Sequence, residues 1–186
     1  MNRILCVTLV LLLLSACFLL RMQNAATEGF NFDAAELSDT KLWTKVNDQP
    51  HHISTELDGL CRAPMSQDYK LEAERSGNPH IAASINVYVN NAGKEAMFEK
   101  QPHFPEGSII VKQKLAPFHE HNQPVLYTVM RKRKAGYNPA VGDWEFSVVS
   151  GDGKQMQASG KLESCQGCHV GKKDSDFVFR PYVKLQ

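Results

Sequence analysis

The most specific motif in this chain is the pentapeptide Cys-Gln-Gly-Cys-His at residues 165–169. Two cysteines three positions apart lie on adjacent turns of one helical face, so both thiols can reach the two vinyl groups of a single haem. The histidine that follows them is then held beneath the iron as its proximal ligand. The motif is the attachment signature of c-type haem. It therefore predicts a helix on which Cys165 and Cys168 bind one haem covalently and His169 binds its iron.

Two other interpretations of the thiol pair are open. The cysteines could bind zinc together with His119 and His121, which form an H-x-H pair. They could also form a redox-active dithiol or a disulfide, but no βαβ pattern surrounds them, as a thioredoxin-like site would require. Neither interpretation gives a role to His169, and the haem interpretation does.

Residues 1–26 differ in composition from the rest of the chain. Arg3 is followed by an almost wholly apolar run at 4–20, and Arg21 ends that run. This order is typical of a secretory signal or a short N-terminal anchor. A signal peptide cut near Ala26, an uncleaved membrane anchor and a lipid anchor on the cysteine of the lipobox-like sequence 14–17 all fit. In all three cases the remaining residues are exported from the cytoplasm, so we predict a periplasmic or other extracytoplasmic location.

Composition and charge exclude several classes of protein. The chain has 186 residues, of which 42% are hydrophobic and 22% charged, and this argues against a disordered chain and a multi-span membrane protein. Its 21 Lys and Arg residues nearly balance 20 Asp and Glu residues, so we predict no nucleic-acid partner. The basic run 131–134 is typical of a solvated hairpin end, or of a docking site for an acidic electron-transfer protein. We predict one domain over residues 27–186.

The periodicity of the domain predicts an α+β fold, mainly an antiparallel sheet with flanking helices and with the haem packed against the sheet. Ile85, Val87 and Val89 alternate with polar residues, as in a half-buried strand. Asp33 is a candidate helix cap. The glycines of Gly151-Asp152-Gly153 supply the positive φ angles of a tight hairpin. We expect further strands at 108–115, 125–131, 143–149 and 154–158, and helices at 92–99 and 162–172.

The group on the other side of the iron determines what such a haem does. A second strong ligand gives an electron carrier, and an open position allows a small molecule to bind. No sequence pattern marks any candidate sixth ligand. These candidates are Met130, Met156, His80, His103, His119 and His121.

Three blocks of sequence, in this order and with these separations, resemble the cytochrome P-460 family. They are Pro-Glu-Gly-Ser-Ile-Ile-Val-Lys at 105–112, Gly-Asp-Trp-Glu-Phe at 142–146, and the haem motif followed by Asp-Phe-Val-Phe-Arg at 176–180. The resemblance covers approximately residues 80–183. It implies a small, mainly antiparallel domain, often a homodimer, with one covalent haem c whose iron is five-coordinate and bound by His169.

The resemblance also implies an activity. In the catalytic branch of the family a lysine after the Pro-Glu-Gly turn is bonded to the haem macrocycle, and by position this lysine is Lys112. That branch oxidises hydroxylamine, with nitric oxide chemistry, to nitrous oxide. A sister branch, cytochrome c-prime-beta, lacks the cross-link and binds gases. On the residues alone, Lys112 beside Lys114 is typical of a solvated strand face.

One residue of the catalytic branch has no counterpart. That branch has a carboxylate as proton acceptor on the strand before the tryptophan block, whereas residues 126–131 contain no acid, and Glu120 lies on a nearby loop. Loss of a positioned base costs a factor of ~10²–10⁴ in proton transfer, which weakens the enzyme hypothesis relative to gas binding.

The remaining candidates surround the motif. Arg180 is predicted to bind a haem propionate, or to form a surface ion pair. Phe177 and Phe179 are predicted to pack on the porphyrin, and Trp144 and Phe146 to belong to the core or to the haem wall. The predicted partners are a small nitrogen-containing substrate or gas and an electron-transfer protein. Cys61 is left unpaired once haem takes the other two thiols.

Overall fold

A sheet of short antiparallel strands forms the body of the protein. The computed structural model describes residues 32–52, 84–115 and 124–183. The part from Asp33 onward belongs to one compact unit. Seven strands lie within the described ranges: β1 (Trp43–Lys45), β2 (His51–His52), β3 (Ser84–Asn90), β4 (Ile109–Leu115), β5 (Pro124–Lys132), β6 (Trp144–Ser150) and β7 (Met156–Gly160).

The strands lie in the order β1-β3-β4-β5-β6-β7, and β2 also pairs with β3. All of these pairings are antiparallel. From β3 to β7 each strand pairs with the next one along the chain, an arrangement that needs no crossover connection. The predicted antiparallel sheet and the α+β class are confirmed, and the predicted strand bounds agree within two residues.

Among the described residues, two α-helices flank the sheet, and both are shorter than predicted. Helix α1 (Lys94–Phe98) begins only after a 3₁₀ turn, and helix α2 (Glu163–His169) ends at the histidine of the motif. After α2 the chain tightens, and Lys172 leaves helical geometry with φ −115° and ψ 32°. This early end turns the chain back, so that the carbonyl of Phe177 reaches the ring of His169. The 3₁₀ segments are Ala34–Ser38, Asn91–Gly93, Pro139–Val141 and Val170–Ser175.

Two local predictions can be compared directly with the turns. The capping role of Asp33 is confirmed, because its side chain accepts a hydrogen bond of 2.9 Å from the amide of Ala35. The hairpin before β7 has a positive φ at Gly153 (73°), but Gly151 has none, so that part of the prediction is wrong. Gly151 is required for a different reason, since a Cβ there would collide with the carbonyl oxygen of Pro124.

The hydrophobic cluster that lies beside the C-terminal segment occupies one face of the sheet. Val89, Ile110, Met130 and Phe146 are cross-strand partners on β3, β4, β5 and β6, and all four are buried. They pack in one hydrophobic cluster with side chains of α1 and of the segment after α2, including Met97 and Val178. Burial of this face stabilises the fold through the removal of apolar surface from water.

The next row of cross-strand partners on the same face contains Lys112. Val87, Lys112, Thr128 and Val148 are opposite one another on β3 to β6, two residues along each strand from the core row. Because side chains alternate with a period of two, Lys112 shares its face with Ile110 rather than with Val111. The sheet therefore directs Lys112 toward the side that the C-terminal segment covers.

Some predictions fall outside the described residues. These include the segment 1–26, Cys61, and the three histidines His80, His119 and His121. Within the described ranges, no helix combines the length and the hydropathy that crossing a membrane requires.

Candidate functional site

The two cysteines of the motif lie on helix α2, three positions apart. Both are half-buried. Cys165 packs against the hydrophobic core, which attaches this side of α2 to the body of the protein. The helix begins after Leu162, which is extended, and the amides of Cys165 and Gln166 donate to the Leu162 carbonyl at 3.0 Å. The thiols are therefore held on a short, fixed helix at the edge of the core.

His169 ends α2 and is buried beneath the segment that follows. Its Nδ1 atom lies 2.6 Å from the carbonyl oxygen of Phe177. A carbonyl oxygen can only accept, so Nδ1 carries the hydrogen and donates, and Nε2 keeps its lone pair. Burial, together with the charge of Lys112, lowers the pKa of His169 to about 4, although its hydrogen bond to Phe177 acts in the opposite direction. The imidazole is therefore neutral at neutral pH, as a metal ligand must be.

Two aromatic rings hold the imidazole from different sides. The ring of Phe146 lies 5.1 Å from it at an interplanar angle of 54°, and the ring of Phe179 lies 5.1 Å from it in an edge-on contact at 90°. Phe146 comes from β6 and Phe179 from the segment after α2. These contacts, together with the hydrogen bond to Phe177, fix the plane of the His169 ring.

Lys112 lies in the same neighbourhood, although 57 positions separate it from His169 in the numbering. Its Nζ atom is 5.4 Å from the centroid of the Phe179 ring, and Phe179 packs edge-on against His169. Nζ of Lys172 is 5.0 Å from the same ring. The charge of Lys112 also contributes to the lowered pKa of His169. The structure thus brings together four of the five predicted site residues: Cys165, Cys168, His169 and Lys112.

Arg180, the fifth predicted site residue, forms hydrogen bonds elsewhere. Its guanidinium donates to the carbonyl oxygens of Met97 at 2.9 Å and of Glu99 at 2.7 Å, with longer contacts to Ala96 and Lys100. It therefore caps the C-terminal end of α1, whose last carbonyls have no partner within the helix. Its Nε is buried and has no hydrogen-bond partner among the described residues. Contact with a haem propionate stays a prediction.

The candidate sixth ligands that lie among the described residues are dispersed. Met130 is buried in the core cluster, His103 is exposed, and Met156 is 38% exposed on β7. Trp144 and Phe146 both belong to the core cluster, as predicted. Within the described ranges, no group of three or more His, Cys, Asp and Glu side chains is arranged to hold a metal ion.

One pair of buried charged residues was not foreseen from the sequence. Lys132 donates to both carboxylate oxygens of Asp176 at 2.8 and 2.7 Å, and both side chains are buried. The prediction that 131–134 is a solvated hairpin end is therefore wrong for Lys132. Its burial could have been inferred from its position in β5. Lys132 lies two residues beyond the inward-facing Met130, so the two side chains point to the same face of the sheet. Arg131 and Arg133 point away and bind Glu145 at 2.8 and 3.0 Å.

The residues of the site fit a haem by the chemistry of their donors. A neutral, buried imidazole whose Nδ1 is engaged by a carbonyl presents Nε2 as a ligand, and this is the usual arrangement of a metal-binding histidine. Two thiols on the same short helix are the groups that form thioethers in c-type haem attachment. Cys165, Cys168 and His169 could therefore hold this cofactor.

Comparison with known proteins agrees with this donor set. The sequence model of the family described as Cytochrome P460 matches residues 66–180, which is more than half of the chain. The match includes β3 to β7, Lys112, the two cysteines and His169. No curated protein matches the chain.

Proposed function

Because this chain belongs to the cytochrome P460 family, a family of haem-binding cytochromes, we propose that it is an exported c-type cytochrome that acts on a small nitrogen compound. In this proposal it oxidises hydroxylamine, handles nitric oxide, or does both. The observation that carries the proposal is the state of His169, a buried and neutral imidazole whose Nδ1 is bound to Phe177 and whose Nε2 is left as a donor.

Cys165 and Cys168 attach one haem per chain in this proposal. Each thiol adds its sulfur and its hydrogen across one vinyl group, so attachment needs no oxidant. His169 would bind the haem iron through Nε2. When bound, the haem would supply an iron that can bind a small nitrogen compound and accept electrons. A separate one-electron acceptor, which we propose is a partner protein, would receive those electrons.

The residues around His169 set the conditions for this chemistry. Phe146 and Phe179 flank the imidazole at 5.1 Å and limit the access of water to that side. The Phe177 carbonyl orients the ring and increases its electron donation through Nε2. The His169 ring is thereby held in one orientation, as the residue that would bind the iron.

Lys112 is the proposed site of the family's cross-link. Its support is its position on the face of the sheet near His169, with Nζ 5.4 Å from the Phe179 ring. Formation of a bond between Nζ and the macrocycle removes a hydrogen from each partner. The maturation step therefore needs an oxidant of the peroxide class.

A specific observation favours a second function, gas binding without turnover. The inward positions of β5, at Thr128 and Met130, carry no acid that could remove a proton from hydroxylamine. Glu145 on β6 is engaged by Arg131 and Arg133. Loss of a positioned base costs a factor of ~10²–10⁴, so a protein with an open iron and no base would bind nitric oxide and turn over slowly.

Turnover by the purified holoprotein distinguishes these functions. Under anaerobic conditions with a redox dye as acceptor, hydroxylamine should be consumed and nitrous oxide should accumulate. Lys112→Ala should lose most of this turnover but keep nitric oxide binding, whereas Lys114→Ala, which changes the next lysine on the same strand face, should retain both. Nitric oxide binding with no hydroxylamine consumption by the wild type would favour the gas-binding function.

Location and assembly are part of the proposal. The apolar run at 4–20 supports export to the periplasm, with either cleavage or retention as a membrane or lipid anchor. Cell fractionation followed by N-terminal sequencing of the mature protein tests this. The family's frequent dimerisation supports a homodimer, which sedimentation of the purified holoprotein tests.

A further inference from the structure

The carbonyl that orients His169 belongs to a backbone segment in an unusual conformation. Asp176 has φ 50° and Phe177 has φ 64°, so two successive residues other than glycine lie in the left-handed region. Such a conformation costs free energy and persists only where its surroundings determine it fully. The contacts that hold these two residues therefore also hold the Phe177 carbonyl.

Asp176 is held from three directions. Its carboxylate accepts from Nζ of Lys132 on β5 and, at 2.8 Å, from the amide of Phe104. Its carbonyl oxygen accepts from the indole Nε1 of Trp144 at 2.8 Å. Nζ of Lys132 also lies 5.0 Å from the centroid of the Trp144 ring. Strand β5, the first residue of β6 and the loop before β4 thus all fix one residue of the C-terminal segment.

Phe177 is fixed as well. Its amide donates to the carbonyl of Lys172 at 2.7 Å, and its ring lies against Gly142, where there is no space for a Cβ. Its own carbonyl is left to accept from Nδ1 of His169. A continuous path of contacts therefore leads from Lys132 through Asp176 and Phe177 to the imidazole.

We propose that Asp176, held by Lys132, is a positioning residue for the proximal histidine, because it fixes the Phe177 carbonyl and so the orientation and electron donation of the His169 ring. This inference rests on the proposed ligation of haem iron by His169. A buried ion pair adds little net stability compared with an apolar replacement, but it fixes its two groups in space. Fixed geometry is what a histidine ligand needs from the residues behind it.

The position of the Phe177 carbonyl should affect the vibrational spectrum and the midpoint potential of the haem. A firm hydrogen bond from Nδ1 to a carbonyl increases the donation from Nε2 to the iron, which strengthens the iron–histidine bond and favours the ferric state. If the ion pair is removed, the carbonyl loosens, the iron–histidine stretching band of the ferrous protein moves to lower frequency, and the midpoint potential rises.

The variants can be chosen so that the chain still folds. Asp176→Asn keeps an oxygen for the Phe104 amide and tolerates a positive φ. Lys132→Met keeps an unbranched stem of similar length. The double variant Lys132→Met/Asp176→Asn leaves no unpaired buried charge. It therefore tests the positioning role even if either single variant does not accumulate. Glu145→Gln is the matched control, because it removes the ion pairs with Arg131 and Arg133, which face away from His169.

Resonance Raman spectra and redox titrations of the holoproteins provide the test. We expect the lower frequency and the higher potential in the single variants and in the double variant, and wild-type values in Glu145→Gln. A double variant with the wild-type frequency and potential, whatever its melting temperature, would overturn the positioning role. A wild-type band that persists in His169→Ala would instead contradict the proposed ligation, so the two failures are distinguishable.

Discussion

The Nδ1 atom of His169 lies 2.6 Å from the carbonyl oxygen of Phe177, a residue eight positions further along the chain. The hydrogen bond closes the reversal of the chain after α2 and determines which nitrogen of the imidazole is available as a ligand. Because the ring is also buried, its protonated form is strongly disfavoured in the folded protein.

The folded protein should therefore become less stable as the pH is lowered through a defined window. Since the pKa of His169 is lowered from 6.5 to about 4, the unfolded chain binds the proton more readily than the folded one between these values. The contribution is fully present above pH 6.5 and decreases by about 1 kcal/mol for each pH unit down to pH 4. In the proposed holoprotein, iron at Nε2 would compete with the same proton and act in the same direction. Urea unfolding at several pH values measures the slope, and His169→Gln should reduce it. An unchanged slope in that variant would contradict the assignment.

Gly142 should be far less tolerant of a side chain than Gly107. Both have a positive φ, 64° and 85°, so alanine is strained at either position. A Cβ at Gly142 would also lie 2.6 Å from Cδ2 of Phe177, whereas nothing lies within 4 Å at Gly107. We expect Gly107→Ala to cost about 1–2 kcal/mol and Gly142→Ala roughly 2–5 kcal/mol, because overpacking is added to the strain. Chemical unfolding of the two variants measures the difference, and equal costs would mean that Phe177 does not pack closely there.

Arg180 should matter for stability and not for the haem potential. Arg180→Met removes the donors that cap α1, and charge-assisted hydrogen bonds of this kind contribute about 1.5–3 kcal/mol. The melting temperature should fall while the midpoint potential stays at the wild-type value. A shifted potential with an unchanged melting temperature would instead support the predicted contact between Arg180 and a haem propionate.

Phe146 links the core to the imidazole, and its removal should be costly. The side chain is 2% exposed and its ring contacts His169, so Phe146→Ala should destabilise the protein by about 3–5 kcal/mol. Met156→Ala on the neighbouring strand removes a side chain that is 38% exposed and should change stability by about 0.5 kcal/mol or less. Thermal unfolding of both variants measures this contrast, which a comparable cost for Met156→Ala would contradict.

Much of this arrangement was predictable because its signals are local. The alternation around Val87 gives β3, and the spacing of Cys165 and Cys168 gives a helical turn with both thiols on one side. The position of Lys112 near His169 followed from the resemblance to the family and not from any local pattern. The strand alone left open whether this lysine faced solvent.

The pair of Lys132 and Asp176 could not be found in this way. Its members are 44 positions apart, and Lys132 stands in a basic run that is typical of a solvated turn. The register of β5 shows that Lys132 faces the core, and its partner Asp176 lies in a left-handed backbone conformation. Long-range charge pairing and left-handed residues other than glycine leave little trace in a single sequence.

In the proposed function, one haem is held jointly by Lys112 and by the motif at Cys165, Cys168 and His169. Peptide mass spectrometry of the digested, haem-loaded protein tests it most directly. We predict that the peptide with Lys112 and the peptide with both cysteines are recovered joined through a single haem, and that in Lys112→Ala the haem remains on the cysteine peptide alone. Recovery of the Lys112 peptide free and unmodified from fully haem-loaded wild-type protein would contradict the claim.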